Sequence, residues 1–153
     1  MDYYEGVVRE FLDSNRSVFL NERCLINLDG VEYRVNGKWP AGRHWYCDAV
    51  AVNLETQTVQ LCEVTYSKTL GSLMKRLTEW AHNWTELRAA LVRDNHVHPD
   101  WRVEPRAFFP RRLREVFDKK LTKLSGLVGE QGQMPVPMVD YLEDIVPWKY
   151  KHY

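Results

Sequence analysis

Apolar residues recur at helical spacing from 3 to 13, with Tyr4, Val7, Val8, Phe11 and Leu12 on one face, and Asp13-Ser14-Asn15 ends that pattern. The next apolar runs are short and β-branched: Val18-Phe19-Leu20, Cys24-Leu25-Ile26-Asn27-Leu28 and Val31-Glu32-Tyr33-Arg34-Val35. Asp29-Gly30 between the last two predicts a tight hairpin, and Asn36 to Gly42 reads as a loop rich in breakers. Two further strands are predicted at Trp45–Val52 and Thr58–Tyr66, joined by the short link 53–57. The longest helix is expected from Thr69 to about Val92. Leu70, Leu73, Met74, Leu77, Trp80, Ala81, Trp84, Leu87 and Leu91 mark its apolar face, Lys75, Arg76, Glu79, Asn83 and Glu86 fall elsewhere, and Ser67 or Thr69 could cap its start. Asp94 to Pro99 breaks the pattern, Trp101–Phe109 has the composition of a strand, and Pro110 precedes a helix over 111–124. Beyond that, glycines and prolines interrupt the chain, with a short helix predicted over 138–145.

This order predicts a single α/β domain over 1–125, a mixed central β-sheet flanked by helices, followed by an irregular extension, 126–153, packed on the domain or on a partner. The 153 residues, 44% apolar and 27% charged, suit one buried core. A formal net charge of zero means that any polyanionic partner must be held by a local patch. The acidic start and the lack of an 18-residue apolar run predict neither a secretory leader nor a membrane span. Cys24, Cys47 and Cys62 sit in apolar surroundings without CxxC spacing and read as reduced core residues of a cytoplasmic protein.

Candidate chemistry is concentrated in the two strands 45–52 and 58–66. Each carries one acid among apolar residues, Asp48 in the first and Glu63 in the second, although acids are depleted from strands and rarely buried alone. If the hairpin turns between Glu55 and Thr56, Asp48 lies directly opposite Glu63 on one face, with Cβ atoms about 5 Å apart. Two opposed carboxylates repel, and a hard divalent cation removes that repulsion. Thr65 shares the face of Glu63, and a slip of one residue would separate the acids.

Helix, meander, acid-bearing hairpin, helix and strand together resemble the α-β-β-β-α-β core of the PD-(D/E)XK nuclease superfamily, the restriction-endonuclease-like fold. Asp48 matches the family's first acid, and Glu63-Val64-Thr65 occupies its (D/E)-x-K tripeptide, with Thr65 where the family has lysine and Cys47 where it often has proline. The resemblance spans roughly 4 to 110. It implies hydrolysis of phosphodiester bonds in DNA, or alternatively RNA, with Mg²⁺ or Mn²⁺ held by Asp48, Glu63 and the carbonyl of Val64. Glu10 is the candidate for the acid that many members carry on the first helix, and Lys68, or else Lys75, would stand in for the missing lysine. The alternative it leaves open is an inactive nuclease-fold protein that binds nucleic acid or another protein.

From Arg102 to Lys123 eight basic residues face three acids, with Trp101 and Phe108-Phe109 nearby. Arg106, Arg111, Arg112 and Arg114 are the candidates for contacts to a phosphate backbone. The acidic stretch Asp140–Asp144 could pair with this patch within one chain or across a homodimer. Asn95-His96-Val97-His98 is read as a helix-terminating loop in preference to a metal site. Trp39, His44 and Trp45 flank the acid pair as contacts for a substrate or as core residues.

Overall fold

A computed structural model describes residues 3–22, 24–30 and 42–149. The helix α1 (Tyr3–Asp13) buries Val7, Val8 and Leu12 and leads into β1 (Val18–Glu22). β4 (Ala49–Asn53) and β5 (Thr58–Val64) pair antiparallel, with Ala49 opposite Cys62 and Asn53 opposite Thr58. Continued by one residue, that register sets Asp48 across from Glu63, as the turn at Glu55-Thr56 predicts. Asn53 closes the turn: its Oδ1 accepts the N–H groups of Glu55 and Thr56, each at 3.0 Å, and Gln57 takes a left-handed φ of 53°.

β1 adds antiparallel to β4, while β6 (Arg102–Phe109) and β7 (Met138–Tyr141) add in parallel beyond β5. The result is a mixed five-stranded sheet in the order β1-β4-β5-β6-β7. Pro105 has no N–H to donate, and it falls just before β7 begins pairing at Arg106, where β6 is still an edge. A separate ribbon pairs β2 (Leu25–Asn27) with β3 (His44–Tyr46).

Side-chain alternation along β4, β5 and β6 divides the core. Ala49, Ala51, Cys62 and Phe108 pack with α1, whereas Val50, Val59, Leu61, Ala107 and Phe109 pack on the opposite face with α2 (Gly71–His82), α3 (Trp84–Arg93) and α4 (Arg114–Thr122). Every residue expected on the apolar face of the long helix is buried, from Leu70 to Leu91. No helix of the described residues is long and apolar enough to cross a membrane.

Several elements differ from expectation for physical reasons. The predicted strand 45–52 is two strands, because Cys47 and Asp48 bend between β3 and β4. The Cys47 N–H donates to the Cys24 carbonyl at 2.9 Å and so extends the ribbon, while Ala49 starts the main sheet. The long helix is divided at Asn83, whose Nδ2 donates to the Glu79 carbonyl at 2.8 Å, as short amide side chains do when they compete with the helical ladder. Leu70, with no side-chain cap, precedes α2 in place of Ser67 or Thr69. The segment 111–124 is a 3-10 turn, Arg111–Leu113, followed by α4. The predicted helix 138–145 is instead β7 and a 3-10 turn, Leu142–Asp144, so the extension 126–153 supplies an edge strand to the sheet. The second arm of the Asp29-Gly30 hairpin, 31–35, and Trp39 lie outside the described residues.

Candidate functional site

The bend at Cys47-Asp48 is what builds the site. Freed from the β4 ladder, the Asp48 carboxylate turns to the end of β5, where its Oδ2 accepts the Val64 N–H at 2.9 Å. Glu63 lies one residue earlier on β5, on the face that packs against α2, and is only 8% exposed. The Asp48 and Glu63 side chains are hydrogen-bonded to each other. Arg76 on α2 completes the cluster: its Nη1 donates to Glu63 Oε1 at 3.0 Å and to the Tyr46 carbonyl at 2.6 Å.

Glu63 is buried between Arg76 and the Asp48 carboxyl, and the electrostatics follow from that. Loss of water around Glu63 pushes its carboxyl up to about 9, and the neighbouring Asp48 charge and hydrogen bond add to the rise. Arg76 pulls the other way, and Glu5 on α1 adds a further negative influence. At neutral pH and without an added cation, Glu63 therefore retains a proton shared toward Asp48. Each of the three cysteines is a free, buried thiol. Burial raises the Cys24 thiol to about 11 and the Cys62 thiol to about 12, and it holds Cys47 well above the usual thiol range. Thiolate chemistry at neutral pH is thereby disfavoured.

Glu10, expected on the strength of the family pattern, is exposed and lines a surface depression with Asp13, Arg16 and Phe19. Glu5, earlier on the same helix, is the α1 acid whose charge acts on Glu63. Thr65 extends the β5–β6 ladder by donating its N–H to the Phe108 carbonyl at 2.9 Å, and its hydroxyl lies 3.2 Å from Ser67 Oγ. Lys68 is exposed in the bend after β5 and Lys75 is exposed on α2; neither forms an ion pair with Asp48 or Glu63 among the described residues. The cation beside Glu63 is thus Arg76, which helical periodicity alone set aside as a residue off the apolar face. Its signal was its place one turn into a helix that follows the acid-bearing strand, but the contact depends on how α2 crosses the sheet.

The four candidate phosphate-binding arginines separate. Arg106 is largely enclosed: Nε donates to Asp140 at 2.6 Å, Nη1 to Gln60 at 2.8 Å, and its guanidinium lies over the rings of Phe11 and Phe108. Arg111 pairs with Asp144, donates its backbone N–H to Glu143 at 3.0 Å and covers Tyr141. Arg114 pairs with Asp118 one turn along α4. The acidic stretch 140–144 therefore meets the basic patch within one chain. Arg112 alone among the four is exposed without an ion pair among the described residues, its Nη2 3.4 Å from the Ser67 carbonyl. His96 and His98 lie in the loop that ends α3, as expected, and His98 Nδ1 accepts the Asp100 N–H at 3.1 Å. Trp45 donates from Nε1 to Glu79 at 2.6 Å, and the His44 ring meets Tyr46 edge-on.

Among the described residues no group of three or more His, Cys, Asp or Glu side chains is arranged to hold a metal ion. Comparison with protein-family models, with curated proteins and with solved structures finds no match.

Proposed function

We propose that the protein is a metal-dependent nuclease of the PD-(D/E)XK type, hydrolysing phosphodiester bonds in DNA or RNA, with Asp48 and Glu63 as its acid pair. The observation that carries this reading is the meeting of the two carboxyl groups at the half-buried end of the central hairpin. The element order supports it: α1, the antiparallel strands β1, β4 and β5 with the β2–β3 ribbon inserted after β1, the helices α2 and α3, then β6 parallel to β5 are compatible with an α-β-β-β-α-β plan. The donor chemistry suits Mg²⁺ or Mn²⁺, because Mg²⁺ takes oxygen ligands and is commonly bound through one or two carboxylates, with waters and substrate phosphate completing its shell. Asp48, Glu63 and the Val64 carbonyl are the groups that would hold it. When bound, the metal supplies an acidified water and neutralises charge on the phosphate.

The chain's own residues do the rest. Asp48 is held by the Val64 N–H and gives the pair its fixed geometry. Glu63 would hold a cation as its carboxylate, beside Asp48. Arg76 carries the positive charge that Thr65 cannot, close enough to Glu63 to face developing charge on a phosphate. Lys68 and Arg112, on the exposed rim, would meet the backbone of the substrate. Three reduced, buried thiols accord with a cytoplasmic setting.

Incubation with plasmid and with single strands in Mn²⁺ tests the reading. Cleavage is expected, and Glu63→Gln should lower its rate on the order of 10²- to 10³-fold through loss of charge at the reacting phosphate. Absence of cleavage in the parent protein, or an equal rate in the variant, overturns it. The second reading, a nuclease fold that binds without cutting, is favoured by the Arg76–Glu63 pair, which places a guanidinium against one of the two acids. Under that reading Arg76→Ala, and not Glu63→Gln, is the variant that loses binding.

A further inference from the structure

The rim of the acid pair is aromatic. Tyr46, two residues before Asp48, is 49% exposed, and Tyr66, three residues after Glu63, is 50% exposed. Arg76 Nη1 bridges the Tyr46 carbonyl and Glu63, which fixes that tyrosine's backbone beside the acids. Tyr66 is backed by Tyr4, with ring centroids 5.0 Å apart and planes 24° from parallel, and Tyr3 meets Tyr4 edge-on at 5.2 Å. Tyr4 adjoins Glu5, the α1 acid whose charge is felt at Glu63.

Resting on the nuclease reading of this same site, we infer that Tyr66 and Tyr46 form a stacking platform for unpaired bases, so that the substrate is single-stranded nucleic acid. Aromatic faces beside cations are how strands with exposed bases are held: each base has a π-face, and the backbone follows nearby positive charge. Lys68 and Arg112 flank Tyr66 and supply that charge. In a duplex the base faces are already stacked on one another, and a ring can reach them only if a base is turned out. Electrostatics alone are a weak attraction here, because the chain has no net charge and Arg106, Arg111 and Arg114 are paired within it. Stacking therefore carries much of the affinity.

The test is fluorescence anisotropy with the full chain in EDTA, using a labelled 20-nucleotide thymidine oligomer, the same length as duplex, and an abasic strand. The thymidine oligomer should bind better than either of the others. Tyr66→Ala should weaken it about tenfold, as base–aromatic stacking does elsewhere, and Tyr66→Phe should restore it because the ring and not the hydroxyl is needed. Tyr46→Ala, whose ring does not pack on Tyr4, provides a second loss that does not depend on the Tyr4–Tyr66 stack. Equal binding of strand, duplex and abasic strand, no binding at all, or unchanged affinity in both alanine variants overturns the inference. Plasmid duplex cut at an undiminished rate by both variants would leave the nuclease standing and remove the platform. Ring-dependent strand binding with no cleavage in Mn²⁺ would do the reverse.

Discussion

β5 carries two buried polar groups three residues apart, Gln60 and Glu63, and their surroundings differ in a way that separates structure from chemistry. Gln60 faces α1, where its Nε2 donates to Glu104 at 2.9 Å and its Oε1 accepts from Arg106, which also holds Asp140; Arg102 lies 3.4 Å from Glu104. Two arginines meet two acids there, and the amide bridges them. Glu63 faces α2, where its side chain meets Arg76 and the Asp48 carboxyl. The first network is closed and charge-matched. The second sets one arginine against a buried acid and its acidic neighbour, and burial, with the Asp48 charge added, keeps the Glu63 carboxyl raised. Buried charges that are matched hold a fold together, whereas an unmatched one marks a place for an incoming ligand.

The largest expected effect breaks the matched network. Arg106→Ala should destabilise the protein by about 3–5 kcal/mol, because Asp140 loses its ion pair and the Gln60 carbonyl its donor in a poorly solvated place. The urea midpoint measures this, and a loss under about 1 kcal/mol would mean that the network is not closed.

The next sharpens the unmatched site. Folding raises the Glu63 carboxyl from an ordinary 4.5 to about 9, so the folded chain holds this proton more tightly than the unfolded one. Its contribution to stability is complete below about 4.5 and is lost as pH rises toward about 9, by up to about 1.4 kcal/mol per pH unit. Asp29 and Asp94, held below their usual range by hydrogen bonds from Arg43 and Arg93, act only at more acid pH. Urea unfolding at pH 6, 7 and 8 should therefore show stability falling in the parent, and Glu63→Gln should remove that slope. Parallel profiles for the two proteins would place the proton elsewhere.

The smallest effect is a control. Arg111 and Asp144 are both about half exposed, so Arg111→Ala should change stability by no more than about 1 kcal/mol, a shift that thermal melting resolves.

What could be read from the sequence was what local chemistry decides. Asn53 and the polar link to Gln57 set the hairpin turn, and the turn sets the register that opposes Asp48 to Glu63. The apolar face from Leu70 to Leu91 was legible because periodicity survives the break at Asn83. Tertiary geometry decided the rest. Trp45 to Val52 keeps one composition through a bend that only the pairing of Cys47 with Cys24 reveals. Met138–Tyr141 becomes a strand because β6 offers an open edge, and nothing local in those four residues demands it. Arg76 reaches Glu63 across 13 residues of chain through the packing of α2, while Glu10, which the family pattern favoured, turns to solvent.

The central claim, that Asp48 and Glu63 together form a cation site, is tested most directly by thermal melting with and without Mn²⁺. A ligand that binds only the folded chain raises the midpoint, so the parent protein should melt higher with the metal, and Asp48→Asn and Glu63→Gln should each lose the increase. A midpoint that does not respond to Mn²⁺, or that rises equally in both variants, would contradict the account.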